Sequence, residues 1–477
     1  MRVSEFYQLG RTQPTLDFVD VDVDGDVLVF IDPRALRLLP STWGDECVSL
    51  LQVFFRHVLD LIRAGHSGDA QANLRVLREP NETHLGFSRG RSRGRALGPD
   101  LALDVYDALN TSEAARSGLL EDLEDTILMV PRIGPDIVSD ITTNVIRAPL
   151  IRYTQDACRT YGIPLDPEVS SGLLWDPGTH TWYSEFVQLP RAHELRLFLV
   201  PKAIVRVRMD YNEQEYYSHY LLEELREAEL NANTELVHLL RDGTPRVTKK
   251  DLTAKYGQGK QVIARQTLAH PDALRRYRED KSARVAPPLT HDEIADVMGS
   301  DPPDWDALRQ QVLAIPPGRE AADRYEKAIE PLLTALFYPW LTNPQVQFPI
   351  HQGRKRIDIT YTNVSQVGFF RWLSMHYPCA HLFIECKNYS GEVGNPELDQ
   401  LSGRFSPSRG QVGLLICRSF DNKPLFLQRC RDTAIDQRGY ILPLDDSDLT
   451  ILVQYRIQNP DQADLPLMHN VFEQLVM

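Results

Sequence analysis

The stretch that decides the reading is HLFIECKNYS at His381–Ser390, taken with RKRIDITYTN at Arg354–Asn363 before it and NPELDQLSGRF at Asn395–Phe405 after it. HLFIEC is an apolar run of strand length that ends on a charged Glu-x-Lys, Glu385 and Lys387. In an extended strand, side chains at i and i+2 share a face. Glu385 and Lys387 therefore project together while Cys386 points to the core. In the earlier stretch Ile357 and Ile359 face one way and Asp358 the other. Two carboxylates brought together on neighbouring strands repel unless a cation or a proton intervenes. Mg²⁺ answers that need, because it takes oxygen ligands and binds through one or two carboxylates plus phosphate.

Outward from this core the element order is legible. AADRYEKAIEPLLTALF reads as a helix, QVQFPI and RKRIDITYTN as strands, and GFFRWLSMHY as a short insert. HLFIECKNY follows as a strand, NPELDQLSGRF as a helix, QVGLLICRS as a strand, FLQRCRDTAIDQRG as a helix and YILPL as a strand. The string α-β-β-β-α-β-α-β predicts a mixed sheet flanked by helices.

The order Asp358, Glu385-x-Lys387, Gln400 resembles the PD-(D/E)xK nuclease superfamily, and within it the Mrr-type restriction endonucleases. The resemblance covers residues 319–477, and the insert at 364–378 lengthens one connection relative to the family pattern. It implies a Mg²⁺-dependent DNA endonuclease, with Mn²⁺ as a substitute, in bacterial restriction or antiphage defence. Asp358 and Glu385 would hold the metal with the backbone carbonyl of Cys386. Lys387 would orient the attacking water or stabilise phosphate charge, and Gln400 would touch the water or the nucleic-acid backbone. Mrr-like relatives often add a Glu from the first helix. Glu326 best matches that place and Glu330 comes second, with Pro331 leaving the helical register open. A catalytically silent nuclease-fold subunit that binds nucleic acid or scaffolds a defence complex is the alternative. The motif also admits RNA as substrate.

A second Glu-x-Lys, Glu279–Lys281 in RRYREDKSAR, lacks an apolar strand around it and reads as a solvated charge cluster. KYGQGK at 255–260 lacks the spacing and the Ser/Thr of a phosphate loop. HExxH and zinc-type Cys/His spacings are absent, so hydrolases of those classes have no support. Without helicase or ATPase motifs, an energy-driven or sensing step would need a partner protein. Double-strand cleavage needs two sites, which points to a homo-oligomer or a larger assembly.

The remaining 318 residues divide at about 215. Residues 1–215 read as a mixed α/β recognition or regulatory domain. DVLVFIDP, HTWYSEFVQL and LRLFLVPKAIVRVRM look strand-like, and CVSLLQVFFRHVLDLIRAG has apolar residues at helical spacing. Asp136, Asp140 and Asn144 form a polar stripe at helical spacing that reads first as an exposed face, and otherwise as a ligand or partner surface. Residues 216–318 read as a charged helical connector, with a Thr290-x-x-Glu293 capping box and a Gly299 stop. The whole chain is thus expected to be α/β: a restriction-endonuclease-like C-terminal sheet, a helical middle segment and a larger mixed N-terminal region.

The net charge of −14 argues against global attraction to nucleic acid, so contacts must come from local basic surface. Arg89, Arg91, Arg93 and Arg95, spaced by Gly and Ser, suit phosphate contact, or form a solvated loop. Residues 245–284 hold 11 Lys+Arg against 4 Asp+Glu. They include Lys249 and Lys250, which could track a nucleic-acid backbone or could simply belong to a charged helix. Arg404 joins these as a candidate nucleic-acid contact. The six cysteines form no CxxC pair and read as buried thiols. No run approaches the roughly 20 apolar residues that span a bilayer, and the N-terminus has no signal-peptide core. A cytoplasmic protein with no membrane partner is expected.

Overall fold

The computed structural model describes residues 1–86, 99–284, 286–350, 352–389 and 393–477. The chain is mixed α/β, with a helical middle and a five-stranded mixed sheet near the C-terminus. The Arg89–Arg95 loop lies outside the described residues. No described helix is long and apolar enough to cross a membrane.

Two apolar cores organise the molecule. One gathers buried side chains of the N-terminal region and the helical middle from Val3 to Met298, joined by Tyr338 and Val364. The second runs from Leu308 to Leu475 and fills the C-terminal sheet.

In the first core the dominant element is the 22-residue helix Thr42–Arg63. Ser41 Oγ caps it by accepting from the Gly44 N–H (3.1 Å). Leu50, Leu51, Phe54, Phe55, Val58, Leu59 and Ile62 make its buried stripe, as the apolar spacing predicts. Of the strand-like stretches, HTWYSEFVQL forms the strands Thr181–Tyr183 and Phe186–Leu189, each in an antiparallel pair, and the other two fare differently. DVLVFIDP yields only the pair Phe30–Ile31, bound to Val205–Arg206. LRLFLVPKAIVRVRM is mostly irregular, although Leu197–Ile204 is buried. Its backbone donors go to scattered partners: Phe198 to Glu82 O, Leu199 to Thr154 Oγ1 and Lys202 to Asp17 O. Dispersed partners satisfy the buried groups as well as a ladder does. Downstream, the Thr290–Glu293 capping box and the left-handed Gly299 bound the helix His291–Met298 as expected.

The C-terminal elements follow the expected order. Helix α1 (Ala322–Phe337) contains Pro331 and stays continuous. Strands β1 (Leu341–Ile350) and β2 (Lys355–Asn363) pair antiparallel, with a register shift between Thr342 and Gln345. The insert forms a helix, α2 (Gly368–His376). Strand β3 (His381–Lys387) pairs antiparallel with β2 and parallel with β4 (Val412–Cys417). Helix α3 (Asn395–Ser402) makes the β3–β4 crossover, and α4 (Lys423–Ile435) leads to the parallel strand β5 (Tyr440–Leu444). Two further helices, α5 (Asp446–Gln458) and α6 (Pro466–Val476), follow the last strand. The sheet order is β1-β2-β3-β4-β5. Every residue of β4 is buried, as fits a parallel strand covered on both faces.

Polar contacts join the two cores. The Asn343 N–H and the Tyr153 hydroxyl donate to the two oxygens of Asp17 (2.9 and 2.7 Å). Arg11 Nη2 meets Glu330 Oε2 at 2.5 Å, and Glu330 is nearly solvent-free. Lys202 Nζ lies 4.1 Å from the Tyr338 ring centroid.

Candidate active site

The register of β2 and β3 pairs Ile359 with Ile384. Continued by one residue, it sets Asp358 opposite Glu385, and opposed residues of an antiparallel pair share a face. The ladder itself ends there. The Cys386 N–H donates instead to Asp358 Oδ2 (2.9 Å), so the acid caps the point where the strands part. An extended residue turns its N–H and C=O to the same edge, which directs the Cys386 carbonyl toward Asp358 as well.

Glu385 is the hub. It is 1% exposed and sits on the central strand. Lys387 Nζ donates to Glu385 Oε1 (2.8 Å) and to Gln400 Oε1 (3.1 Å). Gln400 Nε2 donates to the same Glu385 oxygen (2.6 Å). Arg404 Nη1 forms an ion pair with the other oxygen, Oε2. The end of β3 is pinned by Asn388, whose Nδ2 donates to the carbonyls of Pro316 (3.1 Å) and Gly318 (2.9 Å). The start of α3 is fixed by Glu397, which accepts from the Gly394 N–H (2.9 Å) and the Tyr389 hydroxyl (2.5 Å). Gln400, one turn from the end of that helix, is thereby aimed at Glu385.

Arg404 is held just as firmly at its backbone. Its N–H donates to Leu401 O (3.0 Å), and its own carbonyl accepts from Arg409 Nη2 (3.3 Å). Next to it, the Phe405 ring stacks on Phe383 at 5.8 Å between centroids. That ring lies so close to Gly439 (φ +107°) that any Cβ there would collide with it. Arg404 itself, expected on the nucleic-acid surface, is 7% exposed and turned onto Glu385.

Glu326 completes the acidic group. It projects from α1, and its Oε1 accepts from Gln347 Nε2 (2.7 Å). Burial pushes its carboxyl up to about 7. The Gln347 hydrogen bond opposes that rise, and the charges of Asp358 and Asp323 add to it. Asp358 is raised by burial, against the pull of the Cys386 N–H and the charges of Lys387 and Arg404. Burial lowers Arg404, while Asp358 and Glu326 hold it up. Asp358, Glu326 and Arg404 thus lie within one another's fields. Glu330, the second candidate from that helix, turns to Arg11 and to Thr334 Oγ1 (2.8 Å) and takes no part.

The donor set suits a hard divalent cation: carboxylates of Asp358, Glu385 and Glu326, with the Cys386 carbonyl beside them. Among the described residues no group of three or more acidic, His or Cys side chains is already closed to metal-binding distances. In the resting geometry Lys387 and Arg404 supply the positive charge.

The basic middle segment is largely committed elsewhere. Lys249 donates to Ser218 O (2.6 Å) and pairs with Glu223 (3.3 Å), while Lys250 is exposed on the same helix. Lys255 pairs with Glu229, Arg276 with Glu224, Arg278 with Asp125 and Glu121, and Lys281 with Asp210 and Glu215. These cations bind the helical middle to itself and to the N-terminal region. The 136–144 stripe is mixed as well. Asp136 is exposed, but Asn144 is buried and joins Arg78 O, Asp140 O and Arg147. Gln347 escaped sequence reasoning because its approach to Glu326 depends on the irregular register of β1.

Residues 8–212 match a family described as "Domain of unknown function (DUF8370)". No curated protein and no solved structure matches the chain.

Proposed function

We propose that the C-terminal domain is a metal-dependent phosphodiesterase of the PD-(D/E)xK type, of the Mrr-like restriction class, acting on DNA. One observation carries the reading. Asp358 and Glu385 stand on one face where β2 and β3 part, with the Lys387 ammonium on Glu385. That arrangement builds an anionic seat and a cation side by side on a rigid sheet, which phosphodiester hydrolysis requires.

Asp358, Glu385 and the Cys386 carbonyl would hold Mg²⁺ or Mn²⁺, with Glu326 as a further ligand. When bound, the ion supplies an activated water and neutralises charge on the phosphoryl oxygens. Lys387 supplies a donor whose ammonium reaches both the carboxylate and the space before it. Gln400 fixes Lys387 by accepting from it and fixes Glu385 by donating to it. Before any ion binds, Glu326, its carboxyl pushed up to about 7 by burial, holds or releases a proton near neutral pH at the edge of the site. The N-terminal and middle regions would serve recognition, regulation or assembly, and a homo-oligomer or a partner would supply the second site and any sensing step.

A second reading has a specific observation in its favour. Glu385 Oε1 is hydrogen-bonded by Lys387 and Gln400 and Arg404 forms an ion pair at Oε2, which suits a silent nuclease-fold subunit that binds nucleic acid. Incubating plasmid DNA and structured RNA with the full chain and Mg²⁺ or Mn²⁺, beside D358A and E385Q, separates the two. Cleavage lost in both variants supports the nuclease. Retained binding with no cleavage by the native chain supports the silent subunit.

A further inference from the structure

Arg404 touches the acid on which the proposed reaction turns, yet the chemistry assigned above gives it no task. Its side chain is 8% exposed and its Nη1 sits on Glu385 Oε2. The two Glu385 oxygens are divided. Lys387 and Gln400 share Oε1, and Arg404 holds Oε2. Asp358 and Glu326 both favour its charge, so one guanidinium serves all three acids. At the meeting of β2 and β3, the Asp358 and Glu385 carboxylates already face two fixed cations, Lys387 and Arg404, without any ion. A divalent ion arriving beside Arg404 would leave the site with surplus positive charge. A phosphodiester anion is the group that balances that surplus, and a guanidinium binds phosphate as readily as carboxylate. The Arg404 backbone is anchored by Leu401, Arg409 and the neighbouring Phe405 ring, so a change of partner needs only side-chain rotation.

We propose that Arg404 is a tethered counter-ion on Glu385 Oε2, that a divalent cation takes this oxygen only by displacing it, and that the backbone phosphate of a bound nucleic acid receives the displaced guanidinium. Metal and nucleic acid then bind cooperatively, and the site stays closed to cations until its substrate arrives. This rests on the metal-nuclease reading of the same residues.

The test is Mn²⁺ titration of the full-length chain by calorimetry and electron paramagnetic resonance, alone and with a phosphorothioate DNA duplex. The native protein is expected to bind Mn²⁺ about tenfold more tightly with the duplex than without it, a coupling typical of linked sites. R404Q is expected to bind Mn²⁺ alone at least about tenfold more tightly than the native chain, and to lose most of the duplex effect. R404K, which keeps the charge but not the fork, should fall between. Equal or weaker Mn²⁺ binding by R404Q overturns the proposal. Should R404Q not fold, native Mn²⁺ affinity that ignores the duplex overturns it independently. Cleavage that depends on Asp358, together with unchanged Mn²⁺ affinity in R404Q, would remove this inference and leave the nuclease. Tighter Mn²⁺ binding by R404Q, with duplex coupling kept only by the native chain and no cleavage by it, would leave the counter-ion role and remove the nuclease.

Discussion

Glu326→Gln isolates the electrostatics of the site without any substrate. In the folded chain the Glu326 carboxyl is pushed up to about 7 from an ordinary 4.5, burial being the main cause. A raised carboxyl pKa means that the native state holds a proton the unfolded chain has released. That term therefore costs stability as pH rises from about 4.5 through about 7. At about 1.4 kcal/mol per unit the ceiling is ~3 kcal/mol, and partial exposure of Glu326 screens this to about 2 kcal/mol. Glutamine mimics the protonated acid and can still accept from Gln347 Nε2. The variant should therefore match the native chain at about pH 5 and exceed its stability by about 2 kcal/mol at about pH 8.5. The assay is urea unfolding in chelator-containing buffer at both pH values, followed by tryptophan fluorescence. Equal stability at the higher pH, or a gain of the same size at both, would refute a Glu326 carboxyl raised by burial.

Three further outcomes are expected. Lys387→Ala should lower cleavage by about 10²–10³-fold, the usual loss of one preorganised donor. Mn²⁺ affinity should stay within a few-fold, and a calorimetric loss of binding would contradict the role given to the lysine. Arg11→Ala leaves Glu330 buried without its cation and should cost about 3 kcal/mol in urea unfolding, while adding Glu330→Gln should restore much of it. Gly172 has φ +72°, and its Cβ position lies 2.8 Å from Arg147 Nη1. Gly172→Ala should therefore destabilise the N-terminal region by about 2 kcal/mol in the same assay, and a neutral result would show that Arg147 can shift.

The alternation of RKRIDITYTN and HLFIECKNYS was enough to put Asp358, Glu385 and Lys387 on one face, because a strand's period leaves no other arrangement. Gln400 followed from the helix next in line. Glu326 was preferred over Glu330 from the sequence, but residues four apart share a helical face, so spacing alone gave no physical reason for the choice. It is decided by Arg11, which lies 319 residues before Glu330 in sequence. Arg404 could be read as a cation but not located, because its partner belongs to a strand and not to the helix and turn that carry it. The basic middle segment misleads for the same reason: Arg278, for example, is neutralised by Asp125, 153 residues away. In the N-terminal region apolar runs suggested strands. HTWYSEFVQL does form paired strands, but in LRLFLVPKAIVRVRM burial is real while the hydrogen-bonding partners are scattered, and a linear pattern of apolar residues does not specify them.

The grip of Arg11 on Glu330 has a practical corollary. Helix α1 carries Glu326 to the site and, one turn on, offers Glu330 to a residue at the opposite end of the polypeptide. A fragment cut at the start of the sheet domain would present a naked acid where the intact chain has a sealed contact. Whatever loosens the first two hundred residues therefore also tugs on helix α1, so a change far from the sheet has a mechanical route to Glu326.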